Sequence, residues 1–417
     1  MTSLRAFAEF LDRQLWLRRN RPRPCAPGER QRLLVDVSAI IRHDAQTGIQ
    51  RVVRSVWSEL SRRSGDAFEC VPVFATSRHG YCVAPEDFLI RHRTPTTSPQ
   101  VEVMTGDKFL GLDLSAHLLP KYRRQLRSWR QAGASIHLVV YDLLPLSRPE
   151  WFNTTTSLHF RNWFRVLVED ADQAICISDQ VADELRERVR GTRAEGQLAV
   201  GRMPMGADIA QSVPSRGVCE TVRNVLARMR FRPTILMVGT VEPRKGYDVA
   251  LAAFEFLWRT SPTQAPDLVI VGKGGWKTTK LQHAIRSHPL FGRRLHWLEG
   301  VSDEALCDCY EASRGLLVAS RAEGFGLPLI EAAEHRLPVL ARDLKVFREH
   351  NLPNVAFFSD EQPQALARQL VDLAMTPKRI EPARLNSWRY SVDRLLEEMG
   401  IAPTTVSRNP VKVRDAS

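Results

Sequence analysis

The stretch that most restricts the fold runs from Gly315 to Ala341. Gly315-Leu-Leu-Val-Ala319 is an apolar run of buried-strand length, and Pro338-Val-Leu-Ala341 starts another. Between them lie a glycine-rich loop and a short helix, spelled Arg321-Ala-Glu-Gly-Phe-Gly-Leu-Pro-Leu-Ile-Glu331 and onward. Pro328 suits a first helical turn, where its missing N–H costs nothing. Gly324 and Gly326 let the backbone fold tightly and approach a ligand closely. The free N–H groups of Gly324, Phe325, Gly326 and Leu327 at the helix start form an anion site. Glu323 at the loop entrance and Glu331 in the early helix border one crevice, where both can accept hydrogen bonds from hydroxyls. An anion flanked by hydroxyls is the chemistry of a phosphate-linked sugar.

The remaining composition bounds the partners. A chain of 417 residues predicts two or three domains, each with a full core. The net charge of +12 and a pI near 9.7 imply attraction to nucleotides, nucleic acid or an acidic membrane surface. No apolar run reaches the length of a membrane span. Seven cysteines, an odd number in a long chain, point to a reducing compartment, and none pair at zinc spacing, so no metal site is expected. Residues 1–30 form a separate basic amphipathic segment: Leu4, Phe7, Leu11 and Leu15 recur at helical spacing among arginines. Two readings stay open for it, a helix on an anionic bilayer and a helix docked on its own protein.

Alternating strands and helices then fill two halves, predicting an α/β chain with two doubly wound domains facing a cleft. Leu33–Ser38 reads as the first strand, followed by a loop with Thr47-Gly48 and a helix through Leu60. Val71–Phe74, Phe109–Leu114, Ser135–Val140 and Asp172–Ser178 continue the strands, and residues 79–105 read as an inserted loop region. Asp142 follows the fourth of these strands, where a carboxylate faces the ligand crevice of a parallel sheet. Asp170-Ala-Asp172 spells D-x-D but enters a buried strand, so it is read as structural. The second domain opens on Thr234–Thr240, and Val241-Glu-Pro-Arg-Lys-Gly246 follows. Strand, glycine, basic pair and helix make a phosphate site, with Lys245 as a point charge and Arg244 as a two-pronged fork.

Glu323-Gly-Phe-Gly-Leu-Pro-Leu-Ile-Glu331 resembles the Glu-x7-Glu signature of retaining glycosyltransferase family 4, enzymes of the GT-B fold. Thr47-Gly-Ile-Gln-Arg-Val52 and Tyr141-Asp-Leu-Leu-Pro145 are similar to segments of bacterial surface-polysaccharide members. Many relatives carry His-Asp where this chain has Tyr141-Asp142, which leaves no histidine base there. Lys245 falls on the family lysine, whereas the family arginine position holds Thr240 and Arg244 is the nearest substitute.

The resemblance implies an acceptor domain over 31–210, a donor domain over 211–382, a helix over 383–401 crossing back to the first domain, and a disordered tail over 402–417. It implies a nucleoside diphosphate sugar as co-substrate, held by Gly48, Arg244, Lys245, Val301, Glu323, Gly324, Phe325, Gly326, Leu327 and Glu331. Catalytic roles fall to Glu323, Asp142 and Lys245. The implied reaction moves a hexose, mannose from GDP-mannose as the first candidate, to a lipid-linked saccharide without cofactor or divalent metal. A cytoplasmic location follows, peripheral on the inner face of the membrane. Three other readings stand beside it: a GT-B epimerase, a nucleic-acid binder and an idle membrane scaffold. Scattered arginines without interleaved aromatics speak against nucleic acid.

Overall fold

The computed structural model describes residues 30–44, 47–65, 68–76, 80–91, 98–207, 215–376 and 382–401. The amphipathic segment, apart from Arg30, and the tail after 401 fall outside them, as does the expected boundary at 210/211.

The first lobe starts with β1 (Gln31–Asp36), whose Leu33, Leu34 and Val35 are all buried. Such a run without alternation is what a parallel strand covered on both faces requires. Helix α1 (Gly48–Arg63) begins where Thr47 and Gln50 exchange side-chain bonds with each other's amides. Then come β2 (Phe68–Ala75), β3 (Tyr81–Val83), β4 (Lys108–Gly111), α2 (Arg123–Gln131), β5 (Ser135–Val140) and α3 (Thr154–Asp170). Strand β6 (Gln173–Cys176), α4 (Asp179–Val189) and β7 (Ala199–Arg202) complete the lobe. The seven strands lie in the order β3-β2-β1-β4-β5-β6-β7, parallel except for the β2–β3 pair.

The second lobe holds α5 (Glu220–Met229), β8 (Thr234–Val238), α6 (Tyr247–Thr260), β9 (Asp267–Val271), α7 (Thr279–Arg286) and β10 (Leu295–Leu298). Helix α8 (Asp303–Ala312), β11 (Gly315–Val318), α9 (Leu327–Glu334), β12 (Val339–Arg342), β13 (Val355–Phe358) and α10 (Pro363–Met375) follow. Its six strands are all parallel, in the order β10-β9-β8-β11-β12-β13. The order reverses between β1 and β4 in one sheet and between β8 and β11 in the other. Ligands of open α/β sheets bind outside the strand ends at such reversals.

The last helix, α11 (Trp388–Glu398), belongs to the first lobe's core. Trp388, Val392, Leu395 and Leu396 share one apolar cluster with Val53, Val56 and Trp57 of α1. Arg63 fixes the pair through Asp393 at 3.0 Å. Among the described residues no helix is long and apolar enough to cross a membrane.

Two expectations need correction. Residues 79–105 are not a plain loop insertion, for they contain β3, a short helix at Phe88–Arg91 and a bridge from Cys82 to Gln100. Tyr81 explains it: the ring packs edge-on against Phe109, and the hydroxyl donates to Asp36 at 3.0 Å. Tertiary packing, invisible to periodicity, decides that strand. The strand expected through Leu114 stops at Gly111, because the Leu112 amide turns back to Leu110 and the Asp113 amide bonds Asp36. The D-x-D pair is structural. Asp170 takes Arg123 and Arg127, while Asp172 takes Arg130 at 2.7 Å and the Ile136 amide at 2.8 Å.

Candidate active site

The loop after β8 and the loop after β11 interlock at the second lobe's strand ends. A short turn at Pro243–Lys245 ends on Gly246 in the left-handed region, φ 69°. A Cβ at Gly246 would overlap the Ala319 carbonyl oxygen, so glycine is needed there twice over. The Arg321 amide donates to the Arg244 carbonyl at 2.7 Å, which stitches the two loops together.

That stitching brings the basic pair onto Glu323. Lys245 Nζ lies 2.5 Å from Glu323 Oε1, and Arg244 Nη1 lies 2.5 Å from Oε2. Ser320 Oγ donates to Oε1 at 2.7 Å, and Arg244 Nε pairs with Glu242 at 2.8 Å. Glu323 is only 7% exposed. Burial alone would raise its pKa, but Arg244 and Lys245 outweigh it and hold the carboxyl at about 2. The carboxylate is therefore ionised at any working pH.

The next residues present peptide groups in two directions. The Gly324 carbonyl accepts from Ser178 Oγ at 2.7 Å, and the Phe325 carbonyl from His350 Nε2 at 2.8 Å. With the carbonyls engaged, the amides from Gly324 to Leu327 have no protein acceptor among the described residues. Gly326, at φ 97°, turns the chain into α9, with Pro328 in its first turn. The side chains of Phe325 and Leu327 leave this face and pack into the first lobe's apolar cluster.

The first lobe supplies the opposite wall. A Cβ at Gly324 would overlap the Tyr141 carbonyl oxygen and lie 3.0 Å from Asp142 Cβ, so the lobes meet backbone to backbone. Asp142 accepts from the Leu144 amide at 3.1 Å. Burial raises its carboxyl to about 6; Arg244 opposes that, and Glu323 and Glu242 add to it. Gly48 leaves just enough room for Leu327, whose Cδ1 would be 3.3 Å from an added Cβ. Across the cleft mouth, Trp276 Nε1 donates to the Trp151 carbonyl at 2.7 Å.

Asp142, Arg244, Lys245, Glu323, Gly324 and Gly48 with Leu327 thus line one interlobe seam. Glu331 stands deeper, 3% exposed, with Tyr310 Oη on Oε2 at 2.6 Å and Arg51 on Oε1. Val301 lies just ahead of Asp303, beside a cavity of about 220 Å³ also lined by Ser215, Arg216 and Gly217. Sequence reasoning missed Glu242, Ser320, Tyr310, Asp303 and Arg51. Glu242 stood beside Arg244 and Ser320 three residues before Glu323, so both were readable as local partners; Arg51, Asp303 and Tyr310 meet their partners from remote positions and carry no local signal.

Residues 220–385 match the family described as glycosyl transferases group 1. That match spans the seam's second wall, so residues 220–385 belong to the group 1 glycosyl transferases, and the two lobes together have the GT-B fold. The sequence is similar to the serotype-specific mannosyltransferase WbdA of Escherichia coli, 39% identical over 382 residues. The alignment covers 89% of this chain and 45% of the relative, so the chain spans less than half the length of that protein. The fold is similar to that of Anabaena HepE in complex with UDP and glucose, with a TM-score of 0.58, 14% identity, and 89% and 100% of the two chains covered. It is also similar to that of sucrose-phosphate synthase from Thermosynechococcus elongatus, at TM-score 0.55 and 16% identity over 89% and 95% of the chains.

Proposed function

We propose that the chain transfers a hexose from a nucleoside diphosphate sugar to a lipid-linked saccharide during surface-polysaccharide synthesis, at the inner face of the membrane. Mannose from GDP-mannose is the first candidate, supported by the similarity to WbdA. The observation that carries the reading is the convergence of Arg244 and Lys245 on Glu323, one residue before a row of free amides.

The donor count supports it. Lys245 uses one of its three N–H groups on Glu323, and Arg244 keeps Nη2 uncommitted. Those donors and the amides from Gly324 to Leu327 take the diphosphate. Breaking the anomeric bond moves charge onto it, and preorganised donors stabilise that charge without reorganising. Glu323, ionised and held from three sides, has one lone pair left, on Oε2, to orient the donor sugar. Glu331 accepts the ribose hydroxyls, and Val301 offers backbone contacts to the base. Asp142, near neutrality in its proton affinity, faces the incoming acceptor hydroxyl. Retention of configuration follows from attack on the leaving-group side. The cationic side chains carry the leaving-group charge, so activity is expected to survive EDTA.

The test is a transfer assay with GDP-, UDP- and dTDP-sugars and a lipid-linked acceptor, with product configuration read by NMR. Hexose transfer with retention from one donor is expected. Absence of transfer from every donor, or a label that stays nucleotide-linked as in an epimerase, overturns the proposal.

A further inference from the structure

Arg51 joins parts of the molecule that are far apart in sequence. It sits in the first turn of α1, in the first lobe, yet both its terminal nitrogens lie in the second. Nη1 pairs with Glu331 Oε1, and Nη2 with Asp303 Oδ1 at 3.0 Å. The side chain is 14% exposed, and the side chains of Glu331 and Asp303 are 4% and 8% exposed. Such a buried fork stays only where its carboxylates match it. Asp303 extends the link. Its Oδ2 accepts the amide and the hydroxyl of Ser215, both at 2.9 Å, where the chain leads into the second lobe. Tyr310 Oη closes the other side of Glu331 at 2.6 Å.

A carboxylate offers roughly four lone-pair sites. Arg51 and Tyr310 each take one, on different oxygens, which leaves one free site on each oxygen. Two free sites on one fixed carboxylate are the complement of a vicinal diol. We infer that Arg51 is a positioning residue of the first lobe that sets the Glu331 carboxylate for the ribose 2′- and 3′-hydroxyls, so that ribose recognition exists only while the lobes are joined. The inference rests on the reading of Glu331 as the ribose acceptor. It makes the donor site a two-lobe site, although the phosphate and sugar contacts come from the second lobe.

The experiment measures the Kd of GDP and of 2′,3′-dideoxy-GDP by calorimetry on the full chain, for the native protein and for Arg51→Met, Arg51→Lys and Glu331→Gln. The native protein is expected to bind the dideoxy nucleotide roughly tenfold more weakly, the scale of hydrogen bonds to a charged group. Arg51→Met should bring that ratio below about threefold, as Glu331→Gln does, and the two together should add nothing further. Arg51→Lys keeps a buried cation but not the fork, so it preserves the fold and still loses most of the ratio. Equal affinities in the native protein defeat the ribose reading of Glu331 itself. A native ratio of about tenfold that survives in both Arg51 variants leaves that reading standing and overturns the role of Arg51.

Discussion

Each sheet buries acids where its strand order reverses, and the two sheets treat them in opposite ways. In the first lobe Asp36 is fully buried and accepts from Tyr81 Oη, Ser115 Oγ and Ser38, while Asp113 accepts from the amides of Ala39 and Ile40. No arginine or lysine pairs with either among the described residues. Burial drives both carboxyls up, and Asp113, beside Asp36, reaches about 7. In the second lobe Glu323 is as well hidden, but Arg244 and Lys245 hold it at about 2. The first pair anchors a turn with a proton to spare, whereas the second is a matched set of ions. Burial alone does not set the charge of a hidden acid; the presence or absence of a paired cation does.

The contrast can be broken at its strongest point first. Lys245→Ala should lower kcat by roughly a hundred- to a thousandfold, the cost of one preorganised donor, with little change in melting temperature. A normal rate in that variant would remove the diphosphate assignment. Asp142→Asn comes next. It should cost about a hundredfold in kcat/KM, as loss of a proton acceptor does, and erase a rate limb near the native carboxyl's value of about 6. A limb that persists assigns the titration to another group.

Gly324→Ala should part the two lobes at Tyr141, costing about 1–3 kcal/mol from overpacking and lowering activity with it; an unchanged denaturation midpoint would show that the seam yields freely. The smallest effect sharpens the comparison most. Asp113 binds its proton more tightly folded than unfolded, so its contribution is present below about pH 4 and lost as pH rises toward about 7. Glu323 does the reverse: its contribution is present above the ordinary 4.5 and lost as pH falls toward about 2. Melting curves of Asp113→Asn should therefore be flatter than native from pH 4 to 7 while kcat stays the same. A parallel slope in the variant counts against the raised carboxyl.

The second lobe was the more legible in sequence. Its loops spell out glycines, a proline and a basic pair within short stretches, and most of its strands are largely apolar runs. The seam's charge matching was half visible: Arg244, Lys245 and Glu323 were named, but not that Glu323 is the common partner of the two cations. The first lobe hid more. Asp36 is recognised by Tyr81 and Ser115, 45 and 79 positions away. Arg51 stood inside a quoted motif, but its carboxylates lie 252 and 280 positions on. Helices α2 and α3 passed unassigned because their exposed faces are crowded with arginine and threonine, which dilutes the apolar period.

The placement of α11 has a consequence for how the polypeptide is made. Trp388, Val392, Leu395 and Leu396 fill the interior of the lobe built from residues 31–207, yet they are translated after the entire second sheet. Until they emerge from the ribosome, α1 presents a bare greasy flank of Val53, Val56 and Trp57. The earlier lobe must wait, half finished, for the later one, and a nascent chain stalled before position 388 is a ready client for a chaperone.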